Sequence, residues 1–276
     1  MLSLHRTLDG DLTLGEPLPP VYRSLEEAEV RFFRSALQMS IGRPGGGKSI
    51  FALNHAVRVK VPTLYISADM SRFQVAARTA ALVTGEPASS VKEIVKTVGG
   101  KEKYRAALRS VKHLYLAFDK RPDALVLEEN IEAFTERWGC PPEYIVVDNV
   151  MNLLPQALDE WSGLREMSHV LDYFASELGA AVHGLHHINL GGQKLDMPAP
   201  LGGVKGQIVE LQSLILSWAK VENEMRYTAV KNRDGPEDPM ARSYRALALE
   251  PRSMVLSEPV RPSTAISGPY RGNSGG

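Results

Sequence analysis

Gly42-Arg43-Pro44-Gly45-Gly46-Gly47-Lys48-Ser49 is the stretch on which the fold turns. It meets the spacing G-x-x-x-x-G-K-[ST] at every fixed position, and each residue type has a physical reason. The glycines let backbone N–H groups converge on phosphate oxygens, Lys48 neutralises charge at the β and γ positions, and Ser49 offers a hydroxyl to Mg²⁺. Arg43, Pro44 and Ile50 complete the segment expected to line the nucleotide, ATP. The motif requires a strand before it and a helix after it, and the sequence predicts both: Met39–Ile41 is an apolar run, and a helical pattern runs from Lys48 to about Val59.

Outward from this loop the strand-then-helix alternation repeats. Strands are predicted at Thr63–Ser67, His113–Phe118, Tyr144–Val147 and Ala180–Leu185, and helices at Ser71–Val83, Leu125–Trp138 and Trp161–Leu178, with a charge-rich helical stretch from Ser90 to Ser110. Tyr144–Val147 is continuously apolar, as befits an interior strand covered on both faces. The rhythm stops at residues 188–206, where five glycines and two prolines make a functional loop. Four further strands, Leu214–Trp218, Arg226–Val230, Tyr244–Leu249 and Ser253–Leu256, form a terminal antiparallel meander. The fold class expected is α/β: a mostly parallel central sheet flanked by helices, with a C-terminal antiparallel extension. Residues 1–23 read as an extended arm ending in Pro17, Pro19 and Pro20, residues 24–37 as a helix capped by Ser24, and the Pro/Gly/Ser-rich tail from Glu258 as disordered.

Thirty-two basic and thirty-two acidic residues in 276 cancel, so any contact with DNA or RNA must be local. The single cysteine, Cys140, rules out an internal disulfide framework and is expected as a half-buried thiol. No run approaches the roughly 18 apolar residues of a membrane span, and the N-terminus lacks the pattern of a secretory signal, so cytoplasmic residence is expected.

Other candidate residues fall at strand ends, where parallel sheets gather their ligands. Asp148 closes the run Tyr144–Val147 and would hold the metal through water; the alternative is a turn cap. Asp69, beyond Tyr65-Ile66-Ser67, would orient the attacking water, or else cap the helix starting near Ser71. His186-His187 ends another strand, and one imidazole could reach a γ-phosphate; a structural histidine is the alternative. Lys231 and Arg233 alternate in Lys231-Asn232-Arg233-Asp234-Gly235-Pro236 and face one way, suited to reaching a phosphate across a subunit boundary; the alternative is a solvated hairpin tip.

Taken in order, SIGRPGGGKSIFALNHA, LYISADMSRFQVAARTAALVTG, YIVVDNVMNLL, GLHHIN, GGVKGQIVE and VKNRDGP resemble the RecA-like ATPase core of DnaB-type hexameric replicative helicases, in the short RepA-like phage and plasmid form. The resemblance spans roughly residues 25–250. It implies phosphate binding by Lys48 and Ser49, metal binding by Asp148 and water activation by Asp69, where the family usually has the longer glutamate. It implies that Lys231 and Arg233 enter a neighbour's nucleotide site, and it places His187 where the family commonly has glutamine. The 188–206 loop matches the DNA-facing loop, with Lys205, Gly206 and Lys194 as DNA contacts. The family's separate N-terminal domain has no counterpart here, which leaves residues 24–37 as the expected linker helix. The implied activity is ATP-dependent unwinding by a hexameric ring on single-stranded DNA, with a primase or loader as partner. The alternatives are a RecA-type recombinase or loader on DNA, and a nucleotide-binding adaptor with little turnover, for which Asp69 in place of glutamate speaks.

Overall fold

The computed structural model describes residues 15–189, 191 and 196–259. Nine strands, β1 (Ala36–Gly42), β2 (Thr63–Ser67), β3 (Leu114–Ala117), β4 (Tyr144–Asp148), β5 (Ala181–His187), β6 (Leu214–Val221), β7 (Glu224–Asn232), β8 (Arg245–Glu250) and β9 (Val255–Ser257), form one sheet in the order β3-β2-β4-β5-β1-β6-β7-β8-β9. The strands from β3 to β6 in that order run parallel, and β6 to β9 form the antiparallel meander. β2 and β4 are buried at every residue, which is why they read as unbroken apolar runs rather than as alternation.

Helices cover both faces. On one, α2 (Lys48–Arg58) buries Phe51, Ala52 and Ala56 against Tyr65, Trp218 and Met225, beside α3 (Arg72–Thr84). On the other, α6 (Ala124–Trp138) and α7 (Glu160–Leu178) bury Leu127, Ile131, Leu164 and Leu171 against Ile41, Ile66 and Val147. The charge-rich stretch near 90–110 is two short helices, α4 (Ala88–Ile94) and α5 (Gly100–Leu108), packed on α3 through Ala77, Ala80, Val91 and Tyr104. The last strand is latched onto α2: the buried Asn54 amide donates to Met254 O at 2.9 Å and its Oδ1 accepts from Leu256 N at 3.0 Å.

The expected helix over 24–37 is instead a single turn, α1 (Arg23–Glu26), capped by Tyr22 rather than Ser24. Glu29 takes φ 54°, with Val30 N bonded to Leu25 O and Glu29 N to Glu26 O, the paired hydrogen bonds of a left-handed helix stop. Beyond it Phe32 turns inward beside Phe51 and His55, Phe33 pairs with Pro17, and Leu37 already belongs to β1. The linker-helix expectation is therefore corrected. The proline arm is not free over its described part either, since Leu18 and Tyr22 are buried and Leu18 N bonds Phe32 O at 2.7 Å. Cys140 is exposed, not half-buried, in the turn that follows Gly139 at the end of α6. Among the described residues no helix is long and apolar enough to cross a membrane. Residues 1–14 of the arm and the tail beyond 259 lie outside the described residues.

Candidate nucleotide site

Strand register brings the motif residues to one edge. Gly42, the last residue of β1, lies beside His187, the last of β5, and Ser67 of β2 lies beside Asp148 of β4. The chain then turns through 43–47, where Gly47 takes φ +94° to start α2. A Cβ on Gly47 would stand 2.3 Å from Met225 Cε, and one on Gly42 would stand 2.8 Å from Trp218 O, so close packing as well as phosphate approach demands glycine here.

Lys48 is buried and folds back over the loop, donating to Gly42 O and Arg43 O at 2.9 Å each, with His187 Nδ1 at 3.4 Å. Burial holds its ammonium down to about 8, a loss that the Asp148 and Asp69 carboxylates partly offset. Asp148 accepts from Ser49 Oγ at 3.1 Å and from the Tyr65 hydroxyl at 2.8 Å. Burial pushes the Asp148 carboxyl up, and those two hydroxyls oppose the push. Asp148 thus commits its oxygens to the loop and to Tyr65, while Asn149 caps the turn Val150–Asn152. Asp69 does not cap α3 either; Ser71 does, in a reciprocal capping box with Gln74. The exposed Asp69 instead accepts from Asn149 at 2.9 Å and from Asn152.

The histidine pair divides. His187 faces Lys48, and its protonated form is disfavoured by burial and by that neighbouring cation. His186 points away, fully buried, with Nε2 2.6 Å from Lys205 O, and burial holds its ring down to about 4. Lys205 pairs with Glu160 Oε1 at 2.7 Å. Gly206, at φ +81°, is buried against Leu164 and Trp161, a packing position rather than an exposed contact surface. Lys194 lies outside the described residues.

Lys231 and Arg233 do share a direction: Lys231 donates to Val209 O and Glu210 O, and Arg233 to Glu210 O at 2.6 Å. Their place in the sheet is the informative point. β6 runs parallel to β1 with Trp218 beside Gly42, and antiparallel β7 carries Lys231 back opposite Ile215 and Asn232 opposite Leu214. At about 3.3 Å per residue, the four steps from Leu214 to Trp218 put the cations about 13 Å along the strands from the level of the loop. They stand at the opposite end of the sheet from their own Lys48.

The sequence reading missed Tyr65, Asn149, Asn152 and Glu160. Asn149 was within reach of it, as the polar residue directly after the strand-ending Asp148; Tyr65 and Glu160 become visible only through tertiary neighbours.

A phosphate-binding loop, a buried carboxylate beside its serine and a second carboxylate on the neighbouring strand define, on this sheet, a RecA-like P-loop ATPase domain. The chain belongs to the AAA domain family, which matches residues 32–193. It is 30% identical over 254 residues to the gene 65 protein of Mycobacterium phage L5, covering 88% of this chain and 94% of that one. The gene 65 protein of Mycobacterium phage D29 is likewise 30% identical, over 225 residues, covering 78% and 96%. Among solved structures it is similar to a DnaB-like replicative helicase studied with its interactions with primase (TM-score 0.77, 15% identity), over 92% of this chain and 66% of that one. It is similar also to an ATPase domain solved on its own (TM-score 0.77, 15% identity), over 93% of this chain and 96% of that one.

Proposed function

We propose that the protein is an ATP-driven helicase core of the DnaB type, whose copies assemble head to tail in a ring and translocate on single-stranded DNA. The observation that carries this reading is the separation of Lys231 and Arg233 from their own phosphate loop. Two cations aligned on one edge but unable to serve the nucleotide of their own chain are suited to serve a neighbour's. Each site would then comprise residues 42–50, Asp69, Asp148 and His187 in cis, with Lys231 and Arg233 in trans.

Ser49 and Asp148 present a hydroxyl and a carboxylate already 3.1 Å apart, oxygen donors of the kind Mg²⁺ takes together with substrate phosphates. No cluster of three or more His, Cys, Asp or Glu that could hold a metal by itself occurs among the described residues, so the ion would arrive with ATP. Bound there, it neutralises charge on the β- and γ-phosphates. Asp69 orients the attacking water, and His187 offers a ring N–H to the γ-phosphate. Lys205, next to the buried Gly206, is the cation offered to the DNA backbone, in competition with Glu160; Lys194 joins it from the same loop. Single-stranded DNA and further copies of the chain are the partners of this reading, with a primase or loader as a third.

Steady-state ATP hydrolysis with and without single-stranded DNA tests the proposal, with Lys48→Ala as the blank. The expected result is hydrolysis that DNA accelerates and Lys48→Ala abolishes. Hydrolysis indifferent to DNA overturns the motor reading, and ATP binding without turnover favours the adaptor.

A further inference from the structure

Asn149 is 3% exposed and its amide makes three contacts, each with a different consequence. Its Oδ1 accepts from Met151 N at 2.7 Å, which fixes the amide: the oxygen is committed to a backbone donor, and the nitrogen must face the other way. That nitrogen carries two hydrogens and meets two groups, Asp69 Oδ2 at 2.9 Å and His187 Nε2 at 3.1 Å. A carboxylate only accepts, so the first contact is a donation by Asn149. The second must be a donation as well, because the amide nitrogen has no lone pair to offer, and His187 Nε2 is therefore the unprotonated ring nitrogen. In a neutral imidazole the proton then stands on Nδ1, which is the atom 3.4 Å from Lys48 Nζ.

Two donors, an ammonium and an Nδ1–H, thus confront each other at the place where Lys48 meets phosphate. An anion there is what both call for: Lys48 swings from its carbonyls to the phosphate and the Nδ1–H finds an acceptor. On the other side, Asn152 caps the remaining oxygen of Asp69, so two amides hold the plane of this short, exposed carboxylate and leave its other lone pairs for water.

We infer that Asn149 is the positioning residue of the site: it orients Asp69 and, through the same amide nitrogen, sets the His187 tautomer so that Nδ1–H points at the anion bound by Lys48. This rests on the nucleotide-hydrolysis reading above, and its test separates the two. Asn149→Ser keeps an oxygen able to cap Met151 N while removing the amide. Nitrogen NMR on ¹⁵N-histidine-labelled protein, with His187 assigned by its disappearance in His187→Gln, should show the ring proton on Nδ1 in the wild type. In Asn149→Ser it should move to Nε2, the form that imidazole favours in water. The kcat for ATP should fall by about 10–100-fold with KM within about threefold, as expected when a group holding the reacting geometry is lost. Asn152→Ala, which touches only Asp69, should lower kcat less and leave the tautomer unchanged. A wild-type His187 protonated on Nε2, an unaltered tautomer in Asn149→Ser, or wild-type kcat in that variant overturns the inference. If the wild type hydrolyses no nucleotide, the proposed function falls, and the tautomer pair alone decides whether Asn149 governs His187.

Discussion

Lys48 carries a pH signature that can be signed in advance. Its ammonium is held near 8 by burial, whereas a bound triphosphate favours the charged form. Nucleotide affinity should be level below about pH 8 and fall by up to tenfold per unit above it, with proton uptake detectable by calorimetry in buffers of differing ionisation heat. Folding has the opposite sign: the unfolded chain keeps that proton to the ordinary value of 10.5, so this group adds stability as pH rises from about 8 toward 10.5. An affinity level through pH 9.5 contradicts the account. Gly47→Ala forces a side chain to φ +94° and into Met225, and should cost about 1–3 kcal/mol, seen as a Tm lower by several degrees. Paired with Met225→Ala it should lose less than the sum of the two single changes. At this scale the sequence was most legible where chemistry dictates spacing, as in 42–49, and least where a partner is distant in the chain. Asp69 was identified from its strand end, but nothing in its neighbourhood announces Asn149 and Asn152, 80 and 83 residues further on.

Among the elements, the parallel strands were legible because burial on both faces writes them as apolar runs, and α2, α3, α6 and α7 because their periodicity and caps agree. Residues 24–37 misled for a physical reason. Leu25 and Phe32 are both buried, as a helical stripe requires, but Phe32 reaches the core after the chain has reversed at Glu29 without a glycine to mark the turn. The 188–206 loop was read as glycine-rich and functional, yet its C-terminal part is pinned: Ile188 pairs with Val204, and Lys205 meets Glu160 at the start of α7. If Lys205 serves DNA, Glu160 competes for it. Glu160→Gln should then raise affinity for single-stranded DNA roughly two- to fivefold at low salt, while Tm stays within about 2 °C. Unchanged binding in a fluorescence titration removes Lys205 from the DNA surface.

The whole molecule divides its chemistry between the two ends of one sheet. Lys48→Ala and Arg233→Ala should each be inactive as pure proteins, one lacking the phosphate loop's cation and the other the neighbour's. Mixed in equal amounts, they should recover about a quarter of wild-type hydrolysis, the share of head-to-tail contacts that by chance join an intact loop to an intact arginine. No recovery would place Arg233 outside the site. The latch between α2 and the end of the described chain has a consequence in time. Asn54 begins life buried-to-be with its partners, Met254 and Leu256, 200 and 202 residues away. At about 5–20 residues per second, they emerge on the order of 10–40 s after it. Throughout that interval the helix beneath the phosphate loop waits with an unmet amide, so a nascent chain stays incompetent for nucleotide until its synthesis is nearly over.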